Sequence, residues 1–366
     1  MTIIVKPTYA CNFRCKYCYL SSDTKTSNQT IDVEFMKGVI SQVKEIVCNK
    51  QKRPITFIWH GGEPLLWGIE NYREVFSFMN EELHGINYKN AIQTNLSLIS
   101  EDYIDLFLQH NIRIGCSLDG TKEINDSLRV TNDGNGTFST IMEKIALCKS
   151  RGIDLGCIIV GNKKHIGHIP ELFHFLSEKK LNFKFNPLFK AGEAADDFEN
   201  LGITPDEYAE MCAELFDLWF YDNKHQIKES NFEEIAANLI SHKPSYCIFG
   251  KNCQDNFFAI APTGDVMPCG RFCDTDLLRY SYGNLHSEKL ADVLPRIKYS
   301  DTYLRSEHIE HTDCKKCRYF DICHGGCLHD GFIKSGDFKS KTFLCSAYKR
   351  IFQHIETQLN ITLKTI

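Results

Sequence analysis

Short apolar, β-rich runs punctuate the first half of the chain: Ile3–Val5, Ile55–Trp59, Ala91–Thr94, Ile112–Leu118, Leu155–Val160 and Phe183–Leu188. Between them the apolar positions spread to helical spacing. Phe35, Val39, Val43 and Val47 recur every four residues and predict one apolar helix face. Ile104 and Leu108 repeat the pattern further on, and Gly152 follows the Thr140–Arg151 segment where a helix C-cap falls. Strand–helix alternation of this kind predicts an α/β fold, a parallel sheet with crossover helices. Six such units make an open, partial (β/α)6 barrel, whose chemistry should collect at the C-terminal ends of the strands.

The pattern then changes. Residues 191–203 are acidic and turn-rich and read as a loop or boundary, while Thr204–Tyr221 and Asn231–Ile240 look helical. From Cys247 on, cysteines, glycines and aromatics crowd together, and long periodic segments vanish until about Ser346–Leu359. That reads as a small module shaped by metal sites more than by a large core. The expected division is a barrel over 1–195, a helical connector over 196–246 and a cysteine-rich module with a closing helix over 247–366.

Composition narrows the class. The 366 residues are 43% hydrophobic and 24% charged, enough to bury a core. Lys and Arg number 42 against 47 Asp and Glu, so no basic excess points to nucleic acid. No run approaches the roughly 18–20 apolar residues of a membrane span, and the N-terminus MTIIVKPTYA has no export signal. The expectation is a soluble, cytoplasmic protein with neither a nucleic-acid nor a membrane partner. Its 17 cysteines are an odd number, so complete internal disulfide pairing is impossible, and thiols stay reduced without export. Metal or iron–sulfur ligation is the leading explanation.

Cys11, Cys15 and Cys18 form C-x3-C-x2-C directly after the first strand. Three thiolates on a tight loop can hold three corners of a cubane cluster and leave one iron open; a zinc site completed by a remote His, or plain buried thiols, fit the triplet alone as well. Downstream, Gly61-Gly62-Glu63-Pro64 follows the second strand, Gln93-Thr94-Asn95 ends the third, and Ser117 and Asp119 end the fourth, with Arg129 in the next loop. Together these segments resemble the radical S-adenosylmethionine (SAM) superfamily, whose fold is a TIM-like partial barrel. The resemblance implies a [4Fe-4S] cluster on Cys11, Cys15 and Cys18, with the aromatic Tyr17 before the last ligand. SAM chelates the open iron, and its reductive cleavage yields a 5′-deoxyadenosyl radical that abstracts a substrate hydrogen. By the same resemblance, Gly61, Gly62, Glu63 and Pro64 meet the amino group of SAM, Asn95 lies at the site, Ser117 lies near the ribose or carboxylate, and Arg129 binds the carboxylate. The superfamily more often has glycine after the third strand's motif; here Leu96 stands there, so that turn should differ.

The second half holds Cys247, Cys253 and Cys269, then Cys314-x2-Cys317-x5-Cys323-x3-Cys327, then Cys345. Eight thiolates suit two fully ligated cubanes or two structural zinc ions. The order resembles the SPASM extension of radical SAM peptide-modifying enzymes. That resemblance implies one auxiliary [4Fe-4S] cluster on Cys247, Cys253, Cys269 and Cys327 and another on Cys314, Cys317, Cys323 and Cys345. Of the remaining cysteines, Cys48, Cys148 and Cys212 fall in helical patterns and Cys116 and Cys157 on strands, ordinary places for buried thiols. Cys273 lies four residues after Cys269 and stands as an alternate ligand or active-site thiol.

The implied function is maturation of a ribosomally made precursor peptide. A hydrogen is abstracted from a side chain, and an oxidative C–C, C–O or thioether crosslink forms. Electrons would come from an external donor such as flavodoxin or ferredoxin. The alternative is an anaerobic sulfatase maturase that oxidises Cys or Ser to formylglycine. Sulfatase maturases place an aspartate directly after the third cysteine of the field, as a proposed base; here Gly270 stands there, and the nearest acid is Asp274. Formylglycine chemistry needs a proton acceptor within reach, which favours crosslinking and leaves Asp274 as the candidate base. A non-catalytic zinc module on a barrel scaffold is a third reading. His60, His324 and His329 lie near the motifs but are expected to be structural.

Overall fold

The computed structural model describes residues 1–47, 54–222, 227–244 and 247–365, with side chains through 360. Cys48 lies outside the described residues. Strand and helix alternate as β1 Thr2–Val5, α1 Val33–Val47, β2 Ile55–Trp59, α2 Ile69–Glu82, β3 Tyr88–Thr94, α3 Glu101–Gln109, β4 Arg113–Ser117, α4 Phe138–Ser150, β5 Gly156–Gly161, α5 Ile169–Glu178 and β6 Asn182–Pro187. Consecutive strands pair in parallel, for example Val5 with Trp59 and Cys116 with Cys157. Helices cover the sheet, which is why its strands are apolar runs. Trp59, Phe57, Phe107, Phe183 and Phe185 are fully buried in one continuous core, each contributing about 1.5–3 kcal/mol relative to exposure.

The sheet does not stop at six strands. A hairpin from the cysteine-rich half, β7 Phe257–Ile260 and β8 Val266–Met267, adds to the free edge of β1, with Ile3 beside Phe258. The order is β6-β5-β4-β3-β2-β1-β7-β8. The short Phe-Phe-Ala-Ile run was masked by the cysteines and glycines around it. The opposite edge, β6, is closed by chain rather than by a strand. The Phe183 amide donates to the Lys228 carbonyl at 2.8 Å and the Phe185 amide to the Glu229 carboxylate at 2.8 Å.

Other expectations shift in detail. The buried face of α1 is Met36, Val39, Ile40 and Val43; Phe35 is rotated toward the rim, its ring 4.2 Å from that of His286. Ile104 is buried but Leu108 is exposed. Gly152 adopts φ 75° behind α4, a left-handed C-cap. Residues 191–203 are not a bare boundary. They form the short helices Glu193–Asp196 and Phe198–Leu201 against the loop that carries the first cysteines. The Ala194 amide donates to the Cys18 carbonyl at 3.3 Å, and Lys25 meets Glu193 at 2.6 Å.

The rest of the chain is α6 Pro205–Phe220, α7 Ser230–Ser241, short turns, α8 Asp301–Glu310, α9 Leu328–Ser335 and α10 Cys345–Thr365. α10 packs along α6. Among the described residues no helix is long and apolar enough to cross a membrane.

Candidate active site

The C-terminal ends of β1 to β4 converge on the loop that bears Cys11, Cys15 and Cys18. Gly61 and Gly62 let the turn after β2 lie against that loop. A Cβ at Gly62 would sit 2.2 Å from the Tyr9 carbonyl oxygen, and one at Gly61, whose φ is 153°, 2.4 Å from that of Thr8. No side chain fits such an approach. The Glu63 amide donates to the Ala10 carbonyl at 2.8 Å. The Glu63 carboxylate is fully buried. It caps the helical turn opened by Pro64, accepting from the Leu65 amide at 3.1 Å, and it accepts from the Thr94 hydroxyl at 2.6 Å and the Asn95 amide at 2.7 Å. Burial pushes its pKa up to about 7 despite these bonds. Glu63 therefore ties the ends of β2 and β3 together.

Asn95 reaches the triplet. One amide hydrogen goes to Asn12 Oδ1 at 2.8 Å, and the nitrogen is 4.0 Å from Cys11 Sγ. Leu96 holds φ 69° in the left-handed region that glycine favours, its side chain fully buried. A strained leucine thus keeps the turn that a glycine makes without cost. Ser117 Oγ accepts from Gln93 Nε2 at 3.2 Å. Tyr17, Asp119 and Arg129 form a buried network. The Tyr17 hydroxyl donates to Asp119 and accepts from Arg129 Nη1 at 2.6 Å, and Asp119 and Arg129 lie 3.9 Å apart. Arg129 Nε is buried with no partner, an orphan donor of the kind a bound carboxylate satisfies.

Every cysteine among the described residues is a free thiol. Three groups stand out. In the triplet, burial first and then Cys15 push the Cys11 thiol up to about 12, while Arg129 partly offsets burial at Cys15, held at about 11. Cys253 feels the fields of Cys247, Cys269 and Cys327, beside a cavity of about 230 Å³ lined by Cys247, Cys253, Arg305 and Gly326. Cys314, Cys317, Cys323 and Cys345 line an open cavity of about 410 Å³. Among the described residues, no three His, Cys, Asp or Glu side chains converge as one ion requires. Thiols gathered in threes and fours are the donor sets that iron–sulfur clusters use. Crowded, buried thiols whose pKa is raised also need positive charge against them before they ionise.

The remaining candidates take structural places. Cys273 is fully buried in a small core with Tyr9, Met267, Phe272 and Phe338, against which Cys269 packs, and its thiol lies 3.7 Å from the Cys269 carbonyl. Asp274 is buried, and its oxygens accept from the Ser21 amide at 2.7 Å, the Ser21 hydroxyl at 3.2 Å and the Asp276 amide at 3.2 Å. A carboxylate that accepts from three donors is held in a fixed orientation, across the seam between its own turn and the Ser21 segment. Cys116 and Cys157 face each other at 3.2 Å inside the sheet. His60 accepts from the Gly61 amide, His324 meets the Phe249 carbonyl, and His329 is wedged between Phe189 and Phe272. What sequence reasoning missed is Lys6, buried at the end of β1 beside Tyr19; only a charged residue at a strand end signalled it.

A strand-end site with three thiols, an orphan guanidinium and two further four-thiol groups defines an enzyme of iron–sulfur and SAM chemistry. The model of the radical SAM superfamily matches residues 5–176, and that of the SPASM iron–sulfur cluster-binding domain matches residues 247–318. The chain belongs to the radical SAM superfamily and carries a SPASM domain; it is a radical SAM maturase that uses SAM and more than one iron–sulfur cluster. It is 28% identical over 372 residues to the cysteine-type anaerobic sulfatase-maturating enzyme of Clostridium novyi (strain NT), covering 100% of this chain and 98% of the relative. Native anSMEcpe with bound AdoMet and Cp18Cys peptide shares the fold, with a TM-score of 0.84 at 22% identity over 100% of this chain and 99% of that one. Streptococcus suis SuiB bound to precursor peptide SuiA follows at a TM-score of 0.65 and 17% identity, covering 94% and 75%.

Proposed function

We propose that this enzyme oxidatively crosslinks a side chain of a ribosomally made peptide. In this reading residues 1–195 bear the radical machinery, joined by 196–246 to the auxiliary clusters within 247–366. Cys11, Cys15 and Cys18 hold a [4Fe-4S] cluster with one open iron. Cys247, Cys253, Cys269 and Cys327 hold a second cluster, and Cys314, Cys317, Cys323 and Cys345 a third. When bound, the first cluster and SAM supply, on reduction by an external donor such as flavodoxin or ferredoxin, a carbon radical that abstracts hydrogen. The chain's own residues position that chemistry. Arg129 offers Nε to the SAM carboxylate, and Tyr17 and Asp119 hold its guanidinium in place. Gly61, Gly62, Glu63 and Pro64 shape the turn beneath the SAM amino group, and Asn95 and Ser117 line the same strand ends.

One observation carries the choice of product. Gly270 leaves no carboxylate beside Cys269; a Cβ there would already meet Ile4 Cγ2 at 3.2 Å. Asp274, the first acid along the chain after Gly270, is committed to Ser21 and Asp276, and the buried Asp330 is paired with Arg271 at 2.9 Å. No carboxylate stands at the position where sulfatase maturases place their proposed base; in either reaction a proton passes to an acceptor and the second electron to an auxiliary cluster, so position 270 is what separates the two. Sulfatase maturation is the second reading, favoured by likeness across the whole length to a sulfatase-maturating relative. Mass spectrometry after anaerobic incubation with SAM and reductant separates the two, using precursor-type peptides beside Cys- and Ser-bearing sulfatase peptides. A product short of two hydrogens that resists hydrazide labelling supports crosslinking. A hydrazide-reactive aldehyde on the sulfatase peptide overturns it.

A further inference from the structure

The triplet loop and the turn after Cys269 are joined along one seam. Asp274 binds Ser21, and the Thr24 hydroxyl lies 2.7 Å from that of Thr275 and accepts from the Thr275 amide at 3.1 Å. At the centre of the seam stands Lys6. Its side chain is fully buried, and its ammonium donates to the Tyr19 hydroxyl at 3.0 Å and the Cys273 carbonyl at 3.2 Å. Both acceptors are neutral. The rings of Tyr9 and Tyr19 flank the charge at 6.0 and 4.9 Å. Asp274 is near enough for its field to be felt, but its oxygens are turned to Ser21 and Asp276. Lys25, close by, shows the ordinary solution: Glu193 lies 2.6 Å from its ammonium.

A buried ammonium without a carboxylate against it costs several kcal/mol in lost hydration, unless other negative charge offsets it. The surroundings say where that charge would be. Tyr19 directly follows Cys18, and Cys273 belongs to the turn that begins at Cys269. Lys6 therefore bridges the loop of one thiol group to the turn of another. We propose that Lys6 is a fixed positive charge set between the SAM-binding cluster and the first auxiliary cluster, raising the potential at which each accepts an electron. This rests on the cluster reading and is independent of the substrate. A reduced cluster carries one more negative charge than its oxidised form, so a nearby cation stabilises reduction through the low-dielectric interior. Lys6 acts through its field and is a positioning residue.

The test is a potentiometric titration followed by electron paramagnetic resonance on the reconstituted full chain, with iron and sulfide measured in every sample. Added SAM marks the signal of the triplet's cluster. Lys6→Met should shift that cluster's reduction equilibrium about tenfold toward the oxidised form, about 59 mV for one electron. The first auxiliary cluster should move the same way. The cluster on Cys314, Cys317, Cys323 and Cys345 has no bond to the seam and should stay within about twofold. Lys6→Arg should retain most of the wild-type value. Lys6→Gln removes the charge while keeping a polar N–H donor, so it decides the matter if the methionine variant does not load. Full iron with unchanged potentials in the glutamine variant overturns the proposal. Wild-type protein that takes up no clusters overturns the cluster reading instead.

Discussion

The sheet and the cysteine-rich module reach order by different means. Around β2 and β3 the chain buries Phe57 and sets Trp59, Tyr72 and Phe76 in ring-on-ring contact, and hydrogen-bonded ladders continue from strand to strand. Around Cys314 the local core is Ile309, Cys314 and Phe320, set among helical turns of four residues such as Asp313–Lys316 and Phe320–Cys323. Apolar burial suffices for the first region; in the second the thiols share the lining of a cavity with Tyr319, Tyr348 and Phe352 of the main core. Rigidity for radical chemistry would then come from the sheet, and the short turns around the thiols would depend more on the clusters they hold.

The largest expected effect follows from stripping iron. By hydrogen exchange, amides of residues 300–345 should lose protection by a factor of about 10³ or more in the apoprotein, while β2 to β5 change by less than about tenfold. Equal loss in both regions breaks the contrast. Next, Phe57→Ala should destabilise the sheet by about 3–5 kcal/mol in denaturant unfolding; a cost under about 1 kcal/mol would mean the core is not what holds the barrel.

A smaller effect is expected at the closed edge of β6. Burial pushes Glu229 up to about 7, above the ordinary carboxylate range, even though it accepts from the Phe185 and Phe232 amides. The folded state therefore favours the protonated form. Stability from this group is full below about pH 4.5 and is lost as pH rises toward 7, by about 2–3 kcal/mol. Glu229→Gln should flatten the slope of stability against pH in that window; an unchanged slope assigns it elsewhere. The smallest effect belongs to the seam. Asp274→Asn should cost about 1 kcal/mol in stability and leave peptide product formation largely intact. A folded variant that still cleaves SAM but yields no peptide product would restore Asp274 as a base.

Much of the sheet was legible because its strands are uninterrupted apolar runs. Ile55–Trp59 matches β2 end to end, and Phe183–Leu188 differs from β6 by one residue at each end. The β7–β8 hairpin was not legible, because four apolar residues between Cys253 and Cys269 carry no periodicity. Phe35 and Leu108 had the right spacing but sit at the rim of their helix faces, a rotation that only packing decides. At the site, Gly61 and Gly62 could be read as a close approach, but not that their neighbour would be the triplet loop. Glu63 reads as an exposed ligand for an ammonium, yet three donors inside the fold claim it. The signal at Lys6 was weak, since a lysine at a strand end is ordinarily solvated; its burial arises from Tyr9, Tyr19 and the turn after Cys269, which meet only in three dimensions.

The most direct test measures 5′-deoxyadenosine and peptide product side by side in three proteins. These are the wild type, a Cys11→Ala, Cys15→Ala, Cys18→Ala variant, and a Cys314→Ala, Cys317→Ala variant. The account predicts deoxyadenosine and modified peptide from the first. The second should give neither while retaining about eight irons per chain. The third should give deoxyadenosine with little or no modified peptide. Deoxyadenosine from the triplet variant would contradict it.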